Sequence, residues 1–482
     1  MKTRISRDEP REQPVPHPSA APSAGGRRLG KLAGRMGRWL VRSRRTARWV
    51  ATQQLSNRPR LILFAPGWSA MTRPATRILS AWMVVAMAAG LLLVPTGAGA
   101  AAAPSSRATT AGPAPPRIDP GELQRLLDHI VAAGAPGAAA WVRDERGVQQ
   151  AASGVADLRT GRPMRPGLHF RAASLTKPLV ATVVLQLVAE GRLSLSDTVA
   201  RWLPGILPYG DKVTIRQLLN HTSGVPDYAP MPILALYGSW QARFRAWTPQ
   251  ELVGLVAGQP PDFPPGTAWS YSNTGYVLLG LIVEAVTGNK LGQELARRIL
   301  RPLGLRDTVF LVNSPGIPGP KSRGYSLPLS PQGQVLNGPL LDFTVYNPSL
   351  VWAAGNLIST LHDLTRFLRA LLGGRLLPPR LLTAMMTPVP TGRPGIGWGL
   401  GLMVIELPAG RLLGHDGDIP GYNNIVLSTP DGRRQFGIMR NEESATPAVS
   451  QAFGQAVMAI ATRLLAGVPQ YVSRGAVAAK WR

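Results

Sequence analysis

The chain has 482 residues, 45% of them hydrophobic, and a formal charge of +27. That length and apolar content suffice for a substantial core and exclude a disordered or fibrous protein. With no cysteine, the chain has no disulfide, thiol nucleophile, thiolate-bound zinc or lipidated N-terminal cysteine.

The charge is unevenly placed. Residues 1–70 hold 15 Lys and Arg against three acids, whereas the excess beyond them is milder and spread out, which argues against a nucleic-acid-binding surface on the folded part. Ile78 to Val94 is a continuous apolar run, preceded by Arg73 and Arg77 and followed by Pro95-Thr96-Gly97-Ala98-Gly99-Ala100. A basic flank, an apolar stretch and a small-residue exit read as a secretory signal cleaved after Ala100. The alternative is an uncleaved membrane anchor, because a run of this length just reaches the lower limit for a span. Either way the C-terminal part is expected to be extracytoplasmic. Met71-Thr72-Arg73 stands where a conventional signal begins. Residues 1–70 therefore read as a basic tail or a mis-called start, and 71–100 as signal or anchor. Ala/Pro-rich residues 101–120 read as a linker and 468–482 as a basic C-terminal tail.

The globular domain is expected over 121–467. Gly121 to Ala133 has helical periodicity, with Leu123, Leu126, Leu127 and Ile130 on one side. Ala138–Arg143 and Val148–Val155 flank Asp144-Glu145-Arg146-Gly147 as a hairpin. An apolar helix follows from Pro178 to Glu190, and between about 180 and 390 helices and Pro/Gly-rich loops dominate. Arg411–Gly414, Asn424–Thr429 and Gln435–Arg440 read as strands, and Pro447–Leu465 as an amphipathic helix. The expected fold class is α+β: one antiparallel sheet built from N- and C-terminal strands, flanked by helices, with a mostly helical insertion.

Ser174-Leu175-Thr176-Lys177 runs straight into the helix from Pro178. Residues three apart share a helix face, so Lys177 can reach the Ser174 hydroxyl, and the first-turn N–H groups favour an oxyanion there. By themselves these residues also describe an ordinary helix start with a capping serine. Tyr271-Ser272-Asn273 places a phenol and a carboxamide two apart before another apolar helix. A tyrosine beside a cationic lysine loses its proton more easily and can shuttle protons, and Asn273 can bind a substrate amide. Gly414-His415-Asp416-Gly417-Asp418 ends an apolar strand at glycines, where Gly417 leaves a backbone N–H open to a ligand and His415 supplies a donor or positive charge. Tyr422-Asn423-Asn424 repeats the Tyr-x-Asn spacing, and spacing alone does not choose between the two.

Ser-x-x-Lys, then Tyr-x-Asn about a hundred residues on, then His-x-Gly near the end resembles the serine penicillin-recognising family: class C β-lactamases, D-alanyl-D-alanine carboxypeptidases and related esterases. Leu218-Leu219-Asn220-His221-Thr222-Ser223-Gly224 and Trp352-Ala353-Ala354-Gly355-Asn356-Leu357-Ile358-Ser359-Thr360 are similar to phrases of that family. The resemblance covers roughly 120–465. It implies Ser174 as nucleophile, Lys177 as its proton acceptor or activator, and Tyr271 as partner base or leaving-group acid, without deciding which of Lys177 and Tyr271 takes the serine proton. It implies Asn273 as binder of the acyl side-chain amide, His415 where many relatives carry the lysine of Lys-Thr-Gly, and the N–H groups of Ser174 and Asp418 as the oxyanion hole.

One residue departs from the family. Asp416 stands where many relatives carry threonine, and its carboxylate would repel a substrate carboxylate by about 1 kcal/mol or more at contact distance. The chain has no Gly-x-Ser-x-Gly elbow and no His-Glu-x-x-His pair, so neither an α/β-hydrolase nor a zinc hydrolase is expected, and no cofactor or metal is called for. His221 reads as part of a structural turn. The expected function is an exported serine hydrolase acting through an acyl-enzyme on a small-molecule or peptide amide or ester, D-alanyl-D-alanine carboxypeptidase first, esterase or β-lactamase as alternatives, and a non-catalytic penicillin-binding or sensor domain from another class. N-terminal sequencing of the exported protein is expected to begin at or near Ala101; intact residues 1–100 in the membrane fraction would establish the anchor instead.

Overall fold

The computed structural model describes residues 118–443 and 445–466. The apolar run 78–94, the basic tails and the linker up to 117 lie outside these. The folded part takes in the last linker residues: Ile118 is buried, its carbonyl accepts from the Gln149 side chain, and the first helix α1 (Pro120–Ala132) is capped by Asp119, whose carboxylate accepts from the Glu122 N–H.

One nine-stranded antiparallel sheet carries the architecture. Its strands are β1 (Gly137–Asp144), β2 (Gly147–Asp157), β3 (Arg162–Pro163), β4 (Val389–Arg393), β5 (Ile396–Trp398), β6 (Met403–Leu407), β7 (Gly410–Ile419), β8 (Tyr422–Ser428) and β9 (Gln435–Arg440). Their spatial order is β3-β2-β1-β9-β8-β7-β6-β5-β4, so the two ends of the folded chain meet where β1 pairs with β9, Ala138 opposite Arg440. The sheet is therefore assembled from both ends, as the sequence implies, with helices and short strands inserted between them.

Strand alternation gives the sheet two apolar faces. Ala138, Ala140 and Val142 of β1, with Ile425, Leu427, Phe436 and Ile438, join Leu123, Leu127 and Ile130 of α1 and the buried side of α5 (Pro447–Leu465) in one core. Ala139, Trp141, Leu413, Val426 and Met439 face the other way, into a larger core with α2 (Thr176–Ala189), α3 (Asn273–Thr287) and α4 (Leu361–Leu372). Helix α2 is buried nearly all round, from Thr176 to Leu185, which is why it reads as a continuous apolar run rather than an amphipathic stripe.

Two features differ from the sequence reading. Strands β4 to β6 fall in a stretch dense in Gly and Pro, where no alternation is visible. And β7 does not end at Gly414: it continues through His415, Asp416, Gly417 and Asp418 to Ile419, then turns through Pro420 and Gly421 (φ +97°) into β8. Its motif therefore sits on a strand, alternately buried and open, beside the turn that carries Ser174.

That closeness depends on Gly417. A Cβ there would lie 2.4 Å from the Ala172 carbonyl oxygen and 2.5 Å from Asn424 Oδ1. Gly417→Ala is expected to cost about 1–3 kcal/mol and to lower turnover by pushing β7 away from residue 172. An unchanged melting temperature with unchanged turnover would show that the contact is slack.

Candidate functional site

Ala173–Leu175 form one 3-10 turn that leads directly into α2. The turn is tied down from both sides: Thr176 Oγ1 donates to the Ala173 carbonyl (2.7 Å) and accepts from the Leu357 N–H (3.1 Å), while the Ala172 N–H donates to the Leu357 carbonyl (2.9 Å). Ala173 holds φ +50°, a left-handed conformation that costs a non-glycine residue about 1–3 kcal/mol and persists only where the surroundings enforce it.

Ser174 Oγ lies between two groups. Lys177 Nζ is 3.0 Å away and the Tyr271 hydroxyl, which donates to it, is 2.9 Å away. Lys177 is completely buried and makes two further contacts, to Asn273 Oδ1 (2.8 Å) and the Ala354 carbonyl (2.7 Å), while its amine stands 4.9 Å from the Tyr271 ring and 5.4 Å from that of Tyr276. Burial pushes the Lys177 amine down to about 7, against the opposing pull of Asp227 and Asp416. As a free amine it has two N–H bonds and one lone pair. The two carbonyl oxygens accept the N–H bonds, and the lone pair is left facing the serine hydroxyl.

Tyr271 behaves differently from the sequence reading. Burial and then the Asp416 charge push its phenol well above the ordinary range, and the hydrogen bond to Ser174 only partly offsets them. The lysine does not make it a ready tyrosinate; it stands protonated, as a donor. His221 packs against its ring, centroids 4.4 Å apart at 31°, with Trp269, Tyr276 and Trp398 around the imidazole. The His221 Nδ1 accepts from the Ser272 N–H (3.2 Å), so its proton sits on Nε2. Burial, then Lys177 and His415, push this imidazole well below its usual range and keep it neutral. His221 is itself left-handed, φ +64°, so the turn read as structural forms the wall behind the phenol.

Asn273 is the first residue of α3, which Ser272 caps. Its Oδ1 accepts from Lys177 and its Nδ2 donates to Asp227 Oδ2 (3.0 Å), leaving one amide N–H for a ligand. On β7, His415 is fully buried; its Nδ1 faces the Asp416 carbonyl (2.6 Å) and Asp416 Oδ1 (3.2 Å), two acceptors that place a proton there, and its ring meets Trp398 edge-on at 5.1 Å. Burial works against the Asp416 carboxylate, but the hydrogen bond and charge of His415, with smaller help from Lys177, hold it below the usual range. Asp418, two residues on, is solvent-open, and Gly417 turns its bare side to Ala172 rather than leaving it free.

The structure thus brings Ser174, Lys177, Tyr271 and Asn273 into one hydrogen-bonded cluster and lays His415 to Asp418 along its edge. The second Tyr-x-Asn is elsewhere: Tyr422 is buried, its hydroxyl donating to the Ser322 carbonyl (2.9 Å), and Asn424 Nδ2 donates to the Arg171 carbonyl. Residues not singled out by sequence are Asp227, Trp398 and the Ala354 carbonyl. Ala354 lies within the phrase 352–360, whereas Asp227 lies three residues beyond the phrase 218–224 and Trp398 lies in neither.

An antiparallel sheet with a Ser-Lys-Tyr cluster between it and a helical layer defines a serine hydrolase of the penicillin-recognising fold. The chain belongs to the beta-lactamase family, whose model matches residues 123–457. It is 32% identical to penicillin-binding protein 4* of Bacillus subtilis over 66% of this chain and 69% of that protein, and 34% identical to esterase EstB of Burkholderia gladioli over 54% and 72%. Among solved structures it resembles a D-stereospecific amidohydrolase from Streptomyces sp., with TM-score 0.63, 39% identity, and coverage of 69% of this chain and 97% of that one. The D-amino acid amidase of Ochrobactrum anthropi SV3 gives TM-score 0.61 and 30% identity over 70% and 97%.

Tyr271→Phe removes only the hydroxyl that donates to Ser174 and is expected to lower kcat about a hundredfold or more. Tyr422→Phe strands one buried carbonyl and is expected to cost about 1 kcal/mol of stability with kcat nearly unchanged. Steady-state kinetics and thermal melts of both variants check this, and the reverse pattern would place the working phenol at 422.

Proposed function

We propose that this protein hydrolyses acyl amides or esters through an acyl-enzyme on Ser174, with substrates that present a neutral or cationic group to the cleft rather than a carboxylate. The observation that carries the reading is Ser174 Oγ held at 3.0 Å from a lysine amine tuned to about 7 and 2.9 Å from a protonated phenol.

In the first half-reaction the Lys177 lone pair takes the Ser174 proton as Oγ attacks the carbonyl carbon. The N–H groups of Ser174 and Asp418 receive the developing oxyanion. When the C–N or C–O bond breaks, Tyr271 gives its proton to the leaving amine or alcohol, and the tyrosinate formed is offset by the lysine ammonium nearby. In the second, water loses a proton to Tyr271 and attacks the acyl carbon, and Ser174 departs with the proton held by Lys177. Asn273 offers its remaining N–H to the acyl side chain.

Charge selects among substrates. Asp227 and Asp416 both act electrostatically on Lys177. Two carboxylates beside one amine disfavour the terminal carboxylate of a D-Ala-D-Ala peptide and suit an amino-acid amide or ester with a free ammonium group. The amidohydrolase and D-amino acid amidase similarities support the D configuration. Carboxypeptidase action, the reading the motifs suggest first, is the second reading.

Purified enzyme is expected to turn over D-amino acid amides or short esters well above a D-Ala-D-Ala peptide, and Ser174→Ala to abolish both turnover and fluorophosphonate labelling. Since the base works as the free amine, kcat/KM is expected to rise with pH through about 7 and level off above it. Preference for the carboxylate-ended peptide would favour the second reading, and undiminished labelling of Ser174→Ala would remove the nucleophile.

A further inference from the structure

Asp227 lies in the loop after His221, at the start of α3. Its Oδ1 accepts two backbone N–H groups, from Asn273 (3.0 Å) and Ala229 (3.2 Å), and its Oδ2 accepts from the Asn273 side-chain Nδ2 (3.0 Å). The opposite end of that same carboxamide, Oδ1, meets Lys177 Nζ at 2.8 Å. An amide is nearly symmetric in shape but not in polarity, and among the groups it meets here only Asp227 dictates which end faces the lysine.

We infer that Asp227 is a positioning residue whose carboxylate fixes the polarity of the Asn273 amide, so that Lys177 meets an acceptor there and keeps its lone pair for Ser174. If the amide turned over, Asn273 Nδ2 would point at the amine. A free amine would then spend its lone pair on that N–H and have none directed at the serine hydroxyl. The carboxylate also occupies the N-terminal end of α3, where the helix dipole favours negative charge. Half-buried and beside Tyr228 and Tyr271, its carboxyl is raised by burial against the three hydrogen bonds and Lys177, and it answers with a pull that raises the lysine. Around Lys177 the other charged or titratable groups are Asp416 from β7, His221 from the same loop as Asp227, Tyr271, and Tyr276 from α3.

The inference rests on the Ser174 and Lys177 roles proposed above, so its test reads the rate of covalent labelling by a fluorophosphonate ester, with Ser174→Ala as the control on that reading. Labelling that persists in Ser174→Ala would sink the nucleophile and the Asp227 role with it; labelling that vanishes leaves the Asp227 variants decisive. In Asp227→Asn the oxygen stays with the two backbone donors and the new NH2 faces Asn273 Nδ2, which turns the amide. Labelling is expected to slow at least about tenfold, with the acid limb of its pH profile moved to lower pH because one negative charge near Lys177 is gone. The paired exchange Asp227→Asn with Asn273→Asp restores the polarity: the new amide donates to the new carboxylate, whose second oxygen accepts from Lys177. It is expected to label faster than Asn273→Asp alone, with its acid limb at higher pH than that of Asp227→Asn. A purely structural aspartate would give additive losses instead. In the Asn273→Asp background the sign of the Asp227→Asn effect decides even if Asp227→Asn by itself folds poorly: a gain supports the inference, a further loss overturns it. Labelling within about twofold of wild type in Asp227→Asn, with the acid limb unmoved, also overturns it.

Discussion

An amine with no exposed surface is the constraint around which this molecule is arranged. Burying Lys177 as a cation would cost several kcal/mol, and the protein meets that cost by letting the amine titrate near neutrality while surrounding it with oxygens in fixed places. Every one of those oxygens comes from a different part of the chain: Ser174 from the same helix start, Asn273 from the head of α3, and the Ala354 carbonyl from the short helix Trp352–Gly355. The helical layer is thus keyed to a single nitrogen.

Holding that arrangement takes backbone strain. Among the described residues, the non-glycine positions with positive φ are Ala173, His221 and Trp352. One precedes the serine, one backs the tyrosine, and one stands two residues before the carbonyl that binds the lysine. Each costs of order 1–3 kcal/mol, and their gathering at one place shows stability spent on geometry rather than scattered by chance. The cores on both faces of the sheet supply the surplus.

Much of this was legible in the sequence because it rests on periodicity and side-chain identity. The first hairpin, the serine helix and the closing helix 447–465 follow from apolar spacing, and Ser174, Lys177, Tyr271 and Asn273 from ordered motifs. What was not legible depends on long-range contact or on backbone atoms. The Ala354 carbonyl has no side-chain signature, and Asp227 acts across 46 residues of chain on Asn273. Strand β7 hides behind Gly and Asp, residues that ordinarily argue for a turn. The protonation of Tyr271 follows from burial, a property of the finished fold, so reasoning from its lysine neighbour alone gave the opposite direction.

The seam between β1 and β9 has a consequence for the order in which the site is assembled. The hydrogen-bonded groups at Ser174 and Lys177 are made by residue 273, apart from a carbonyl at 354, but the strand that edges the cluster, β7, is held in a sheet whose first and last strands in chain order pair Ala138 with Arg440. Contacts that distant in sequence form late and slowly, since the loop must close before pairing is rewarded. A chain that ends before β9 already contains Ser174, Lys177, Tyr271 and Asn273 yet lacks the strand that completes the sheet beside them. The last strands made are therefore those that set β7 against the turn of Ser174, and the edge of the cluster depends on the seam that closes over the longest stretch of chain.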